Sequence, residues 1–399
     1  MRIFIRIISK IVACVFAIAI LVAAVTGFSL VYHFRAPSLF KGPDIYNPYA
    51  CLDTAHMWKR ANFHTHTRVD GLMNECDYWP EEVYARLEKL AYDIVTFSNH
   101  NELTKHPFDS TLQVNVYEHG YNLLKYHKLV FGSEAVVKFD HILPIFSFQK
   151  QFQIDRLKKD SDIVQINHPL RTETLSNSQL EKLSCYRLIE LDSGRSTENR
   201  YWDAALSAGH YSFGVANDDL HYPDRSGRIA VRCNFLCCQS ARYEDIKQCL
   251  LKGCFYSMRV PDYGKGNWDI KYERNRNLPY VTEIGLKDST IYIGLSTAAD
   301  SIKVTGQGHT TLLKISDSAY AEYKMQPCDP YARITAYLPE GEVIYTNPFA
   351  RYDSSTAESP YDDTPHKVNI LLTILFNLAL AVICIGDGYV IYLILKSRR

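Results

Sequence analysis

The stretch Asn62-Phe63-His64-Thr65-His66-Thr67 decides how the rest of the chain is read. In a strand, side chains two residues apart share a face, so the imidazoles of His64 and His66 project together. Two neutral imidazoles on one rigid edge make half of a transition-metal site. A chain with fourteen histidines shows His-x-His by chance, so the weight lies in the segments downstream of it. Short apolar runs end in Asn99-His100-Asn101, Gly132-Ser133-Glu134, Asn167-His168-Pro169 and Asp218-Asp219-Leu220-His221. Each places a ligand type just beyond a hydrophobic segment.

Outward from this stretch the pattern alternates. Pro80, Glu81 and Glu82 open a helix with Val83, Leu87 and Leu90 on one side; proline and acids suit a first turn. Strands are expected over 93–98, 128–131, 162–167, 187–191, 211–216, 231–237 and 254–257, with a further apolar run over 141–148. Helices are expected over 113–126, 150–159, 176–184, 198–208 and 243–251. Such alternation argues a parallel sheet, and this many units close most naturally into a barrel over 61–260. Chemistry then collects at the carboxyl ends of the strands. From about 267 the helical period stops. Short runs at 283–286, 290–295, 301–305, 331–337 and 343–345 predict a small antiparallel β-domain over 267–350.

Both ends are apolar. Residues 11–32 carry no charge and are long enough to span a bilayer, with Arg2, Arg6 and Lys10 before them and Arg35 after. A second span over 368–395 closes on Lys396, Arg398 and Arg399. Basic outer flanks predict that both termini are cytoplasmic and that residues 35–366 lie across the membrane. Segments 35–60 and 351–367 read as linkers. Asp387 interrupts the second span and is either a functional carboxylate or a snorkelling one. Eleven cysteines form no Cys-x-x-Cys pair, and the nine outside the apolar ends cannot all pair with one another. An oxidising compartment would permit bridges whose partners the sequence does not name. Zero net charge, with acids and bases interspersed, argues against a nucleic-acid groove.

Five motifs in order across about residues 61–258 resemble the polymerase and histidinol phosphatase (PHP) family. They are Phe63-His64-Thr65-His66-Thr67 with Asp70-Gly71; Ser98-Asn99-His100-Asn101; Gly132-Ser133-Glu134 with His141-Ile142-Leu143; Asn167-His168-Pro169; and Asp219-Leu220-His221. The resemblance implies an α/β fold, a distorted (β/α)7 TIM-like barrel, holding two or three divalent ions (Zn, Mn or Fe). Carried over, His64, His66, Glu134 and Asp219 share one ion. Glu134 bridges to a second, held also by His100 and His141; His168 and His221 complete the set, with Asp70 as a further ligand. The implied activity is a membrane-anchored phosphoesterase of a bacterial inner membrane, with a hydroxide shared between ions attacking a small-molecule or envelope phosphate ester. Glu134 and His221 would serve catalysis, and Arg171, with Arg195 as a second candidate, would clamp phosphate. Two departures stand out: Asn99 replaces the family aspartate, and Asp70 lies one residue early. A silent binding module, or a metal hydrolase of a non-phosphate bond, is the alternative. His106, His119, His127, His210 and His309 read as ordinary, and Asp218 as a supporting partner of Asp219.

Overall fold

The computed structural model describes residues 2–52, 58–70, 73–170, 175–192 and 197–396. The chain opens with α1 (Arg2–Val25), and the extended run after it carries β1 (Tyr32–His33) and β2 (Asp44–Tyr46). β3 (Trp58–Asn62) leads into the His64 stretch, followed by α2 (Pro80–Lys89). The Glu82 carboxylate accepts from the Trp79 N–H at 2.8 Å, satisfying one of the donors left at the start of α2. α2 buries Val83 and Leu87 completely, so Leu87→Ala is expected to cost about 2–5 kcal/mol.

Next come β4 (Ile94–Val95), β5 (Val116–His119), β6 (Lys128–Phe131), α3 (Ser147–Lys158), β7 (Ile163–Ile166) and α4 (Asn177–Leu180). After them lie β8 (Leu188–Glu190), α5 (Arg200–Ser207), β9 (Phe213–Val215), β10 (Arg232–Cys237), α6 (Tyr243–Lys252) and β11 (Phe255–Arg259). The C-terminal part holds α7 (Trp268–Arg276), β12 (Val281–Lys287), β13 (Thr290–Gly306), β14 (Thr310–Lys324), β15 (Tyr331–Tyr337), β16 (Val343–Thr346) and β17 (Phe349–Tyr352). β18 (Lys367–Val368) and α8 (Ile370–Lys396) end it.

The larger sheet has the order β12-β13-β15-β16-β11-β10-β3-β4, with β14 on β13 and β17 between β15 and β2. The smaller has the order β5-β6-β7-β8-β9. Glu118 at the end of β5 joins the two: its N–H donates to the Asn99 carbonyl at 3.1 Å, and its carbonyl accepts from the Asn101 N–H at 2.9 Å. On the other side Asn234 Oδ1 accepts from the Ala216 N–H (2.8 Å), and the Ser257 hydroxyl donates to the Gly214 carbonyl (2.7 Å). Thr65, beyond β3, bridges Leu220, beyond β9. Among the described residues no single ladder closes into a barrel; bridges and side chains span the gaps.

Several expectations need correction. The sheets are mixed, not parallel: β6 runs antiparallel to both β5 and β7, and β10 to both β3 and β11. The helix expected over 113–126 is β5 and a loop; Val114, Val116, Tyr117 and Tyr126 are buried against the smaller sheet's core, and tertiary packing overrides the helical spacing. The C-terminal strands are not set apart, because β16 pairs with β11 and extends the same sheet. Asn347 ties them in further, its amide donating to the Gly253 and Phe255 carbonyls and accepting from the Gly214 N–H. α7 has little amphipathic signal; its start is capped by the Asn267 side chain, and Asn275 receives the buried Arg60 guanidinium. The two linkers are ordered where β2 pairs with β17 and β1 with β18.

α1 and α8 are each long and apolar enough to cross a membrane, over Phe4–Val25 and Ile370–Lys396. The first ends earlier than the sequence suggests, in a turn at Thr26 and Gly27, and residues 28–31 continue along α8. There Asn377 accepts from the Ser29 N–H (3.1 Å) and donates to its carbonyl (3.0 Å), while Thr373 accepts from the Val31 N–H (2.9 Å). A disulfide joins Cys51 to Cys254, just after the Gly253 that ends α6.

Candidate metal centre

β3 delivers His64 and His66 to one side, as its period requires, with ring centroids 5.3 Å apart and both residues buried. Their local fold is held by Asn62, whose side-chain carbonyl accepts from the His64 N–H (3.2 Å), and by the Leu220 carbonyl, which accepts from the His66 N–H (2.9 Å). The carboxylate they meet is Glu118. Its Oε2 lies 3.1 Å from His64 Nε2, 3.2 Å from His66 Nε2 and 3.2 Å from His100 Nε2. Its Oε1 lies 3.1 Å from His127 Nδ1 and 3.4 Å from His168 Nε2, and accepts from the Asn167 amide at 2.8 Å. One buried carboxylate therefore turns each oxygen to a different set of imidazoles.

Asp219 approaches from the loop after β9, with Oδ1 3.1 Å from His64 Nε2 and 3.4 Å from His66 Nε2. Glu75 closes the open side, 3.0 Å from His100 Nε2 and 2.9 Å from His221 Nε2. Three groups of ligand atoms result: His64, His66, Glu118 and Asp219; His100, Glu118 and His127; and His66, Glu75 and His221. Supporting hydrogen bonds fix the tautomers. His64 Nδ1 faces Glu190 at 3.1 Å, and His221 Nδ1 donates to the Asp219 carbonyl at 2.8 Å, leaving each Nε2 aimed inward. His168 (φ 28°) and Asp219 (φ 51°) hold left-handed backbone conformations, a local strain found where geometry serves a site.

The electrostatics are those of a crowded, dry cluster. Burial works against charge on Glu118, yet His64, His100 and His127 hold its carboxyl well below the usual range. Burial pushes His66 down to about 3 and His127 down to about 4. Burial also opposes charge on His64, but Glu118 and Glu190 outweigh it and lift its pKa to about 10. The buried Nε2 atoms of His64 and His66 make no hydrogen bond. Unpartnered imidazole nitrogens converging on carboxylate oxygens fit a divalent cation, since the ligand set of nitrogen and oxygen suits Zn, Mn or Fe.

The structure brings together six of the residues singled out from sequence: His64, His66, His100, His168, Asp219 and His221. It does not bring in Glu134 or Asp70, which are exposed and belong to none of the ligand groups. His141 is buried elsewhere, with Nε2 3.3 Å from the Phe28 carbonyl and Nδ1 facing Gln153. Arg171 and Arg195 lie outside the described residues. Sequence reasoning missed Glu118, His127, Glu75 and Glu190. His127 immediately precedes a strand, a signal that carries meaning only if that strand runs backwards. Asp218 takes a supporting place, accepting from the N–H groups of Ala230, Val231 and Arg232.

Glu75, His100, Glu118, His127, His168, Asp219 and His221 line a cavity of about 260 Å³, whose wall Lys125 of the loop between β5 and β6 also joins. No family model and no curated protein matches the chain. One solved structure is similar: a two-domain protein containing a predicted PHP-like metal-dependent phosphoesterase from Bacteroides vulgatus. It is 13% identical with a TM-score of 0.38, and the alignment covers 79% of this chain and 100% of that one.

Proposed function

We propose that the chain is a metal-dependent phosphoesterase of the PHP type, anchored in a membrane by α1 and α8. The observation that carries the reading is the placement of Glu118, whose two oxygens face two imidazole sets in a buried pocket. His64, His66, Glu118 and Asp219 would hold one ion, and His100, Glu118 and His127, with His168 adjoining, a second; Glu75 and His221 with His66 would hold a third. Divalent ions held there supply positive charge to a phosphoryl group and acidify water. The chain's own residues do the rest. Glu190 keeps the His64 proton on Nδ1, and the Asp219 carbonyl keeps the His221 proton on Nδ1. Lys125, carried on the pocket's rim, gives the phosphate a cationic partner, and the small cavity suits a phosphoryl head group. In this reading Glu118 takes the bridging part expected of Glu134, and Glu75 the part expected of Asp70.

The two mixed sheets and the bridges between them support reading the centre of the molecule as an open, distorted barrel. The Cys51–Cys254 disulfide supports an oxidising compartment for the domain, and the basic flanks of α1 and α8 support cytoplasmic termini at a bacterial inner membrane. The test is hydrolysis of a panel of phosphate monoesters and diesters by the full chain in detergent, supplied with Mn, Zn or Fe. Turnover that chelation abolishes and metal restores is expected; no turnover on any ester by protein with metal bound would overturn the reading.

A further inference from the structure

The loop that carries Lys125 into the cavity is tied to the domain-side end of α1. The Leu123 N–H donates to the Ile142 carbonyl at 2.9 Å, and the Ile142 N–H donates to the Thr26 hydroxyl at 3.3 Å. His141 faces the Phe28 carbonyl and the Gln149 amide donates to the Gly27 carbonyl, both at 3.3 Å. Thus one hydrogen-bonded layer, residues 120–127 over 139–149, sits on residues 26–28.

Helix lengths place that layer against the bilayer. α8 has 27 residues, so it is about 40 Å long, roughly 10 Å more than a hydrocarbon core. α1 stops at Val25, and a Cβ on Gly27 would lie 3.3 Å from Leu380. The first two turns of α8 therefore stand beside the domain, and the bilayer surface falls near Gly27 and Asn377. Phe146 and Phe148 pack on Phe376 of α8, with ring centroids 6.1 and 4.9 Å apart. Around this level the domain exposes large apolar side chains: Leu123 is 70% exposed, Ile145 57% and Phe146 48%. In water such a patch is a liability; at a lipid surface it is seated. Lys125 lies two residues beyond Leu123, at most about 7 Å along the chain, so the cavity's cationic rim adjoins the lipid-facing patch.

We infer that the phosphate ester received by this cavity is the head group of a lipid in the same membrane, delivered past Leu123 and Ile145. This rests on the phosphoesterase reading and names its substrate class. For a phosphomonoester lipid such as phosphatidic acid, water adds to phosphorus, the phosphorus–oxygen bond to glycerol breaks, and the glycerol oxygen takes a proton. The products are diacylglycerol and inorganic phosphate.

The experiment uses the full chain, metal-loaded, in phosphatidylcholine vesicles containing phosphatidic acid, with glycerol 3-phosphate as a water-soluble ester of like chemistry. Turnover of the lipid at matched bulk concentration is expected to exceed that of glycerol 3-phosphate about tenfold or more, through its high local concentration. In the Leu123→Asp, Ile145→Asp double variant the ratio of lipid to soluble turnover is expected to fall about fivefold or more, with metal content as the check on folding. Independently of turnover, phosphatidic acid bearing a photoactivatable acyl chain is expected to label residues 120–148. Labelling confined to α1 and α8, or hydrolysis of glycerol 3-phosphate alone, overturns this inference and leaves the phosphoesterase standing. Hydrolysis of neither ester by metal-loaded protein that turns over another member of the phosphate-ester panel also overturns this inference alone; only failure on the whole panel overturns both.

Discussion

At the residue scale, Asn99 is held by what an amide can do and a carboxylate cannot. Its Nδ2 donates to the Thr67 and Thr104 hydroxyls, each at 2.7 Å, while its Oδ1 accepts from the Thr67 N–H at 2.8 Å. The side chain braces the loops that carry His66 and His100 and does not reach the ligand atoms. Asn99→Asp, which introduces the aspartate that the PHP resemblance calls for, is expected to lower stability by about 1–3 kcal/mol in urea unfolding without raising metal content, because two hydroxyls lose their donor. Lys125 makes the opposite prediction. Lys125→Ala is expected to leave metal content unchanged and to reduce kcat/KM on a phosphate ester about tenfold to hundredfold, the loss of one charge-assisted contact. The histidines at the strand ends were legible in the sequence because imidazole pairs and His-Pro boundaries are local patterns. Glu118 was not, since Tyr117-Glu118-His119 matches no motif and gains meaning only from five imidazoles contributed by distant segments.

At the element scale, the direction of β6 explains why Glu134 reads as a ligand and is not brought to the centre. The spacing of apolar runs reveals strands but not their direction, and a carboxyl-end rule holds only when strands run together. Because β6 runs antiparallel between β5 and β7, Gly132-Ser133-Glu134 leaves at the far edge, beside Asn115 and Asp162. His127, which precedes β6, is carried to the Glu118 end instead. A second element-scale feature is the union of α5 with the C-terminal strands. Asp203 on α5 takes the Arg333 guanidinium of β15 at 2.8 and 2.5 Å, both side chains being almost fully buried. Burial alone would raise the Asp203 pKa, but Arg333 outweighs it and the folded value lies below normal. A depressed carboxylate pKa adds stability that is present above the unfolded value near 3.9 and is lost as pH falls through the folded one. Asp203→Asn is therefore expected to cost about 3–5 kcal/mol at pH 7, and the gap to the parent to shrink below about pH 4 in denaturant titrations.

At the scale of the whole molecule, two terminal helices, each long and apolar enough to cross a membrane, meet side by side. Their apolar length was plain in sequence. The short β1–β18 ladder and the Asn377 and Thr373 contacts that fix their pairing were not, being single polar residues in apolar surroundings. On the proposed topology, with both termini cytoplasmic, Cys328, the one exposed free thiol among the described residues, would lie on the far side. A membrane-impermeant maleimide is expected to label it in spheroplasts without permeabilisation; labelling only after permeabilisation would reverse the topology. On the proposed function Glu118, and not Glu134, is the carboxylate on which the metal centre is built. The deciding measurement is the metal content of the full chain purified without chelator, beside its Glu118→Gln and Glu134→Gln variants. Bound Zn, Mn or Fe is expected in the parent, the same content in Glu134→Gln, and loss of at least one equivalent in folded Glu118→Gln. Loss in Glu134→Gln with full retention in Glu118→Gln would contradict it.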